Sequence, residues 1–378
     1  MKRIALVGVT GYGGVHFSNL RALAEEGLCE FAAAAVINPE HPDAAAPLAW
    51  LRSHGATVYP TARALFTAEA THLDLVTLPV GIAAHEPLVK AGLAAGANIL
   101  VEKPAAGCTD AVDRMIEAER ASAPRRVFVG FQHISAPEVR KIKDSISSGR
   151  LGRPLRVVCT GVWPRNDAYY ARNSWAGRLA TPDGTPIRDS PANNAFAHYV
   201  NLGLYFASTN KAMPAEPISV EGALYRARPE IETFDTCVVR LATDSGAEVL
   251  MALSHASDEN HNPRIRVECE HGTVLWSFDG QWSIEGVASG TIAPPHAAMF
   301  RAVLAHCGTG GGEVSNLCSL AMARAQVCAV ELMNDTLPVA SLNHFAVRRD
   351  DGQWIVPRLP EAFDIIWRTG RLELPDWK

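Results

Sequence analysis

Lys2-Arg-Ile-Ala-Leu-Val-Gly-Val-Thr-Gly-Tyr-Gly-Gly14 opens the chain. Residues 2–7, apolar from Ile4 onward, read as a buried strand. Four glycines follow within seven residues, and a helical stretch begins at about Val15. A strand that turns through glycines straight into a helix lets backbone amides approach a pyrophosphate at the helix amino end. Gly8 and Gly13 fit the ends of a Gly-x-Gly-x-x-Gly spacing, and Thr10 stands where the middle glycine belongs. Gly8-x-x-Gly11-x-x-Gly14 fits as a variant. Candidate nucleotide contacts are therefore Gly8, Thr10, Gly11, Tyr12, Gly13 and Gly14. The alternative is an ordinary glycine-rich turn between strand and helix.

The next segments favour the first reading. Strand-like runs at 30–37, 74–80, 98–103 and 126–131 alternate with helical patterns at 43–53, 61–69, 82–95 and 110–122. Such alternation predicts a doubly wound parallel sheet, a Rossmann α/β domain over residues 1–133. In an open parallel sheet, ligands bind at the carboxyl ends of the strands. Asn98-Ile-Leu-Val-Glu-Lys-Pro104 ends at that edge in a charged pair, Glu102 and Lys103, which is costly there unless it has a role. Pro104 removes a backbone donor and restricts Lys103 to extended backbone.

Composition narrows the class. The 378 residues suffice for two domains, with 48% hydrophobic and 20% charged residues and a net charge of −5. No Lys/Arg run or basic tail invites nucleic acid. The longest apolar run, residues 31–37, cannot span a bilayer, so no membrane association is expected. The chain enters a strand at once, leaving no room for a signal peptide. Its eight cysteines include no Cys-x-x-Cys pair and read as reduced thiols of a cytoplasmic protein, without structural zinc.

From residue 134 onward the pattern changes. Long alternating strands at 156–162, 219–225, 233–241, 248–255, 264–270 and 273–278 predict a large, open, mostly antiparallel sheet in a second α+β domain, 134–378. Helices over about 193–208 and 316–333 are expected to cover it. A last helix falls at 360–368 and a flexible joint at 308–312. The first of these helices is apolar nearly all round, yet Asn194, His198 and Asn201 share one face, so a buried polar stripe is expected there. Trp163-Pro-Arg-Asn-Asp-Ala-Tyr-Tyr-Ala-Arg-Asn-Ser-Trp175 mixes rings with polar groups, as a sugar-binding wall requires. Its candidates are Arg165, Asp167, Tyr170, Arg172, Asn173 and Trp175. Arg188, Asp189, His255, Glu259 and His261 are weaker ones. His255, Glu259 and His261 could hold a metal on spacing alone, but no metal is expected.

Taken together, the glycine turn, Glu102-Lys103-Pro104 and the later His198-bearing helix resemble the Gfo/Idh/MocA family over nearly the whole chain. The resemblance implies a Rossmann domain, a carboxy-terminal open-sheet domain, and dimers or tetramers assembled through that sheet. It implies a nicotinamide-dependent oxidoreductase acting on sugars, cyclitols or related polyols. The family commonly carries Asp-x-x-x-His on the later helix, where this chain has Asn194-x-x-x-His198. On this basis His198 is the acid/base, Lys103 its polarising partner and Asn194 an orienting or hydroxyl-binding group. Glu102 faces the cofactor or anchors Lys103. Asn38, after the second strand, can bond a ribose hydroxyl, and NAD is expected, with NADP the alternative. Leu78, Pro79, His85 and Gln132 are expected along the cofactor path. His85 could equally be a surface residue.

Three other readings remain. Some relatives oxidise a glycoside transiently, eliminate the aglycone and return the hydride. Others bind nucleotide without catalysis. The opening glycine turn also resembles that of N-acetyl-glutamyl-phosphate reductases and semialdehyde dehydrogenases, which need a nucleophilic cysteine; Cys108 has no evident partner for that role.

Overall fold

The computed structural model describes residues 1–292, 294–309, 316–373 and 377. It divides into two compact units. The first unit is Met1–Ala106, Asp110–Ala136 and Pro294–Ala323; the second is Gly107–Thr109, Pro137–Ala293 and Arg324–Lys378.

The first unit runs β1 (Lys2–Val7), α1 (Tyr12–Glu25), β2 (Cys29–Ala35), α2 (Ala45–Ser53), β3 (Thr57–Tyr59), α3 (Ala62–Ala68), β4 (Leu75–Leu78), α4 (His85–Ala94), β5 (Asn98–Val101), α5 (Thr109–Ala121) and β6 (Val127–Val129). Its strands pair in parallel in the order β3-β2-β1-β4-β5-β6. The inner strands are apolar on both sides because helices cover both faces; Ile4, Leu6, Leu75, Val76, Ile99 and Leu100 are wholly buried. The strand order reverses between β1 and β4, so the ligand-binding edge lies where these strands end. Three-residue β3 is not legible in the sequence, since so short an edge strand carries no period.

In the second unit α6 (Pro137–Ser147) precedes β7 (Pro154–Val162), α7 (Asp167–Ala171), α8 (Ala197–Phe206), β8 (Pro217–Arg226), β9 (Thr236–Thr243), β10 (Glu248–Ser254), β11 (His261–Cys269), β12 (Gly272–Ser277), β13 (Gln281–Ile284) and β14 (Ala288–Thr291). The helix α9 (Pro295–Thr309) belongs to the first unit. A contiguous second domain over 134–378 therefore needs a correction. The reason is packing: Met299, Phe300, Val303 and Leu304 of α9 share a core with Ile4, Leu6, Phe17 and Leu20. The joint expected over 308–312 starts inside α9, and from residue 310 it lies outside the described residues.

The chain ends with α10 (Leu320–Thr336), β15 (Val339–Ser341), β16 (Val347–Arg348), β17 (Trp354–Ile355) and α11 (Leu359–Thr369). The large sheet has the order β14-β13-β12-β11-β7-β10-β9-β8-β15 and is mostly antiparallel, with β7–β10 and β8–β15 parallel. α8 lies on one face. Its Gly203 faces Val249 of β10 and Val157 of β7. Lys143 of α6, buried, closes the C-terminal end of α8 by donating to the carbonyls of Tyr205 and Ser208. The helix expected at 316–333 appears as α10, starting at Leu320. α10 fastens to the residues before α8 and to the start of β8, through Gln326 Nε2 to Ala192 O and Arg324 to Glu216.

The opposite face is covered as well. Leu359, Phe363 and Ile366 of α11 and Trp377 pack with Val158, Val162, Val238, Leu250 and Ala252. Beyond that cover, charges alternate across five strands. Arg240 pairs with Glu221 and Glu248, Arg156 with Glu248 and Glu268, and Arg266 with Glu268.

Candidate functional site

The candidate residues divide between the two units. In the first, the turn from β1 to α1 is shaped for close backbone approach. Gly8 and Gly11 have φ of +93° and +56°, where a side chain would be strained. A Cβ on Gly13 would stand 2.4 Å from Gly8 O and 3.6 Å from Pro79 Cγ. The α1 N-terminus has Gly11 as its cap, no side-chain cap bond and no acidic residue in its first turn. Gly13 N and Gly14 N close the turn on Thr10 O and Gly11 O, and no side chain offsets the positive end of the α1 dipole, which suits a dinucleotide pyrophosphate. Beside the turn is a cavity of about 420 Å³, lined by Thr10, Gly11, Gly14, Ser18, Arg21 and Asp43 among others. Arg21 was not among the sequence candidates; its guanidinium is engaged by Glu25 at 2.8 Å and lies over Trp50. Asn38 follows β2 and is exposed; its carbonyl accepts from His41 N.

Glu102 and Lys103 sit at the end of β5, before a cis Lys103–Pro104 peptide. Glu102 is buried. Its Oε1 lies 2.9 Å from His16 Nε2, and its Oε2 accepts from Lys103 N at 3.1 Å. Glu102 is thus paired with His16 and also bonds the backbone of Lys103. His16 is wholly buried on α1, edge-on to Phe300 at 5.0 Å. Gly130 leaves the room this carboxylate needs, because a Cβ there would meet Glu102 Oε1 at 2.5 Å. Nearby, Tyr12 Oη is 3.0 Å from His296 Nε2, and burial, with the charge of Glu102, raises the Tyr12 phenol. His16, Gly130 and His296 escaped the sequence reading because each acts on a partner far along the chain.

Replacing Gly130 with alanine is expected to displace Glu102 and unseat the His16 pair. The predicted cost is about 1–3 kcal/mol of stability, the usual range for overpacking. Chemical denaturation of the variant checks this; an unchanged midpoint and slope would show that the carboxylate has somewhere else to go.

His85 is not a surface residue. It is wholly buried, with Nδ1 at 3.0 Å from Pro104 O and Nε2 at 3.1 Å from Val80 O. It clasps the loop after β4 to the segment after β5. Burial lowers its basicity. Leu78 is buried at the end of β4, and Pro79 backs the glycine turn. Gln132 is buried directly after the last strand's loop, with Oε1 lacking a partner among the described residues.

In the second unit, the path after β7 and the end of β10 run side by side, with Trp163 N bonded to Ser254 O and Arg165 N to His255 O. Phe196 stacks between Trp163 at 4.8 Å and His255 at 5.4 Å. His255 Nδ1 lies 2.7 Å from Trp163 O. Asn194 precedes α8 in a turn; the expected helix start at 193 comes four residues later, at Ala197. Its Nδ2 donates to Asp189 Oδ1 at 2.9 Å and lies 3.4 Å from Tyr169 Oη. Asp189 is itself buried and accepts from Gly177 N at 2.7 Å. A carboxylate therefore stands behind the amide that replaces the family's aspartate. His198 is buried on α8, one helical turn on, and Asn201 is buried on the same helix.

Several candidates from the 163–175 stretch have local structural roles. Asp167 pairs with Arg228 and Arg348. Asn173 Oδ1 caps the turn by accepting from Trp175 N and Ala176 N. Tyr170 faces inward beneath Arg228. Its neighbour Tyr169, absent from the sequence candidates, is the ring that meets Asn194. Consecutive residues on a helical turn point about 100° apart, and the sequence did not say which of the two rings faced the site. Arg188 is held by Gly107 O, Glu331 and Asp335. His261 pairs with Glu259 at the surface.

Burial holds two histidines neutral. His133, in the first unit, and His255, in the second, are each driven from 6.5 to about 3, by burial first and then by His296 and Arg165 respectively. A depressed basic group binds fewer protons folded than unfolded between those values. The stability it contributes is complete above pH 6.5 and is lost as pH falls toward 3. Asp235, raised by burial from 3.8 to about 6, acts in the opposite sense over a narrower shift. The two histidines prevail, and the melting temperature is expected to fall continuously as pH drops from about 6.5 to about 4. His255→Gln should flatten that slope; an equally steep slope in the variant would remove His255 from the account.

Fold and glycine turn together define a Rossmann-domain protein of the dinucleotide-binding class. Residues 2–131 match the model of an oxidoreductase family with an NAD-binding Rossmann fold, and residues 139–275 match the GFO/IDH/MocA C-terminal domain. The chain belongs to the GFO/IDH/MocA oxidoreductase family. It is similar to inositol 2-dehydrogenase 4 of Saccharopolyspora erythraea, 32% identical over 235 residues, covering 62% of this chain and 64% of that one. Another relative, the inositol 2-dehydrogenase of Pseudomonas fluorescens, is 35% identical over 168 residues, 43% of this chain and 48% of that one. The chain thus spans less than two thirds of the curated relatives it matches. Among solved structures, the fold resembles the WlbA dehydrogenase from Bordetella pertussis in complex with NADH and UDP-GlcNAcA, at a TM-score of 0.70 and 21% identity, covering 89% and 96% of the two chains. It also resembles an oxidoreductase from Agrobacterium radiobacter in complex with NAD+, L-tartaric acid and magnesium, at 0.67 and 16%, covering 87% and 94%. No helix among the described residues is long and apolar enough to cross a membrane.

Proposed function

We propose that this chain transfers a hydride between a nicotinamide cofactor and a carbinol carbon of a sugar, cyclitol or glycoside. The observation that carries the reading is the uncapped α1 N-terminus behind a turn where Gly13 presses on Gly8 O, at the same sheet edge as Glu102-Lys103-Pro104. The names of its relatives support a polyol or sugar substrate, since they are inositol 2-dehydrogenases and a dehydrogenase holding NADH and a UDP-sugar. NAD is favoured over NADP because Asn38, rather than a basic residue, follows β2.

When bound, the nicotinamide supplies the hydride acceptor or donor. His198 takes the hydroxyl proton as hydride departs and returns it in the reverse direction; an imidazole suits this because its ordinary range lies near neutrality. Lys103 is the proposed polarising group. Its backbone is held by Glu102, and Glu102 by His16. Asn194, braced by Asp189, orients the sugar or His198. Trp175 offers a flat face to sugar C–H groups.

Assembly of copies through the large sheet is also proposed, confined to the half that α11 leaves uncovered, where Leu275 is exposed. Sedimentation velocity should give a dimer or larger; a monomer at all concentrations ends that part. The activity is tested with the full chain, NAD+ and a panel of sugars, cyclitols and glycosides, followed at the nicotinamide absorbance. Reduction with at least one class is expected. If calorimetry detects no NAD binding and no compound is oxidised, the proposal is lost.

A further inference from the structure

Arg165 and Arg172 flank one aromatic ring and face no carboxylate. The Arg165 guanidinium lies 4.7 Å from the Tyr169 ring centroid, and that of Arg172 lies 3.6 Å from it. Arg172 also reaches the Trp175 ring at 5.3 Å, so it is held between two aromatic faces. Arg165 Nε is buried without a hydrogen-bond partner among the described residues. Arg165 Nη1 donates to Pro164 O and Arg172 Nη1 to Tyr169 O, and the Arg165 side chain also bonds the Tyr169 hydroxyl. Among the described residues neither arginine belongs to an ion pair, whereas Arg178, Arg188 and Arg228 of the same unit are all paired with carboxylates.

The neighbours do not supply the missing negative charge. Asp167 is engaged by Arg228 and Arg348. Asp189 accepts from Gly177 N and Asn194 Nδ2. His255 sits beside Arg165 and Arg172 and is kept neutral, with both arginines contributing to that. A planar guanidinium stacked on a ring is already ordered, so little freedom remains to be lost when an oxyanion binds.

We infer that Arg165 and Arg172 form an oxyanion subsite, and that the substrate is an acidic sugar carrying a carboxylate or phosphate beside its oxidised ring. This rests on the proposed hydride transfer for its catalytic meaning, but the binding it requires does not. The sugar's C–H face lies against Trp175, and its anionic group is shared by the two guanidinium groups.

The test uses the full chain with D-glucose, D-glucuronate, D-glucose 6-phosphate and myo-inositol. NADH formation is measured with NAD+ present, and sugar binding by calorimetry with NADH present. At least one anionic sugar should exceed glucose in kcat/KM or affinity by about tenfold or more, the effect of one or two charge-assisted bonds. Glucuronate and glucose 6-phosphate distinguish carboxylate from phosphate. Arg165→Gln and Arg172→Gln should each reduce the anionic-to-neutral ratio by about tenfold, with part of the preference restored in the corresponding Lys variants. Equal loss for neutral and anionic sugars would assign the arginines a structural role and overturn the inference. So would oxidation of glucose or inositol without anionic preference, which leaves the hydride-transfer reading intact. Arginine-dependent binding of an anionic sugar without any NADH formation would do the reverse, sustaining the subsite and sinking that reading. Failure of both anionic sugars to bind overturns the subsite.

Discussion

Lys103→Ala is expected to lower turnover by about 10²–10⁴-fold, the range for losing a group that acts on the transferred proton or its oxygen. NAD affinity should change by less than about threefold, because the pyrophosphate is proposed to bind at the glycine turn and not through this ammonium. The split between the two readouts is what makes the experiment informative. Lys103 follows a buried strand whose last carboxylate, Glu102, is fixed by His16 at 2.9 Å. Truncating the lysine beyond Cβ leaves that backbone arrangement standing. Lys103→Met, which keeps most of the side-chain volume, should behave alike if charge is the cause. Steady-state kinetics with the best substrate of the panel, together with calorimetry for NAD, measure both numbers. Turnover within a few-fold of the parent would remove Lys103 from the chemistry.

Gly13→Ala should have the second largest effect, of a different kind. The added Cβ would lie 2.4 Å from Gly8 O and 2.8 Å from Gly8 C. Both are backbone atoms, so no side chain can swing away. Either α1 moves off the β1 edge or the turn reshapes, and the amides at the α1 N-terminus lose their aim. A loss of at least about tenfold in NAD affinity is expected, with a stability cost of about 1–3 kcal/mol from overpacking. Gly14→Ala is the control: its Cβ would meet only Val9 O, at an ordinary 3.7 Å. Calorimetry and denaturant unfolding of both variants decide the matter. Equal NAD affinity in the two would mean that the close approach at Gly13 does not serve the nucleotide.

Local patterns in the sequence determined the parallel sheet, the glycine turn and the Glu102-Lys103 pair at a strand end. Each rests on neighbours in the chain: an apolar run, a glycine spacing, a charged pair before proline. The second domain's long strands were equally legible, because alternation survives at any distance. Partners were not. His16 finds Glu102 across 86 residues and Tyr12 finds His296 across 284. Nothing in the spacing of either pair announces it. α9 joined the first unit because four apolar side chains fitted an existing core, a matter of complementary surface rather than of period. His85 passed for a possible surface residue until its two ring nitrogens met backbone carbonyls. Which of Tyr169 and Tyr170 faced Asn194 depended on the rotation of a single helical turn. The cover that α11 lays over the large sheet is tertiary in the same sense: its apolar stripe is plain in the sequence, but only folding chose the surface that buries it. Sequence specifies elements through short-range periodicity and sterics, while the meeting of side chains is decided by how those elements pack, where distance along the chain no longer counts.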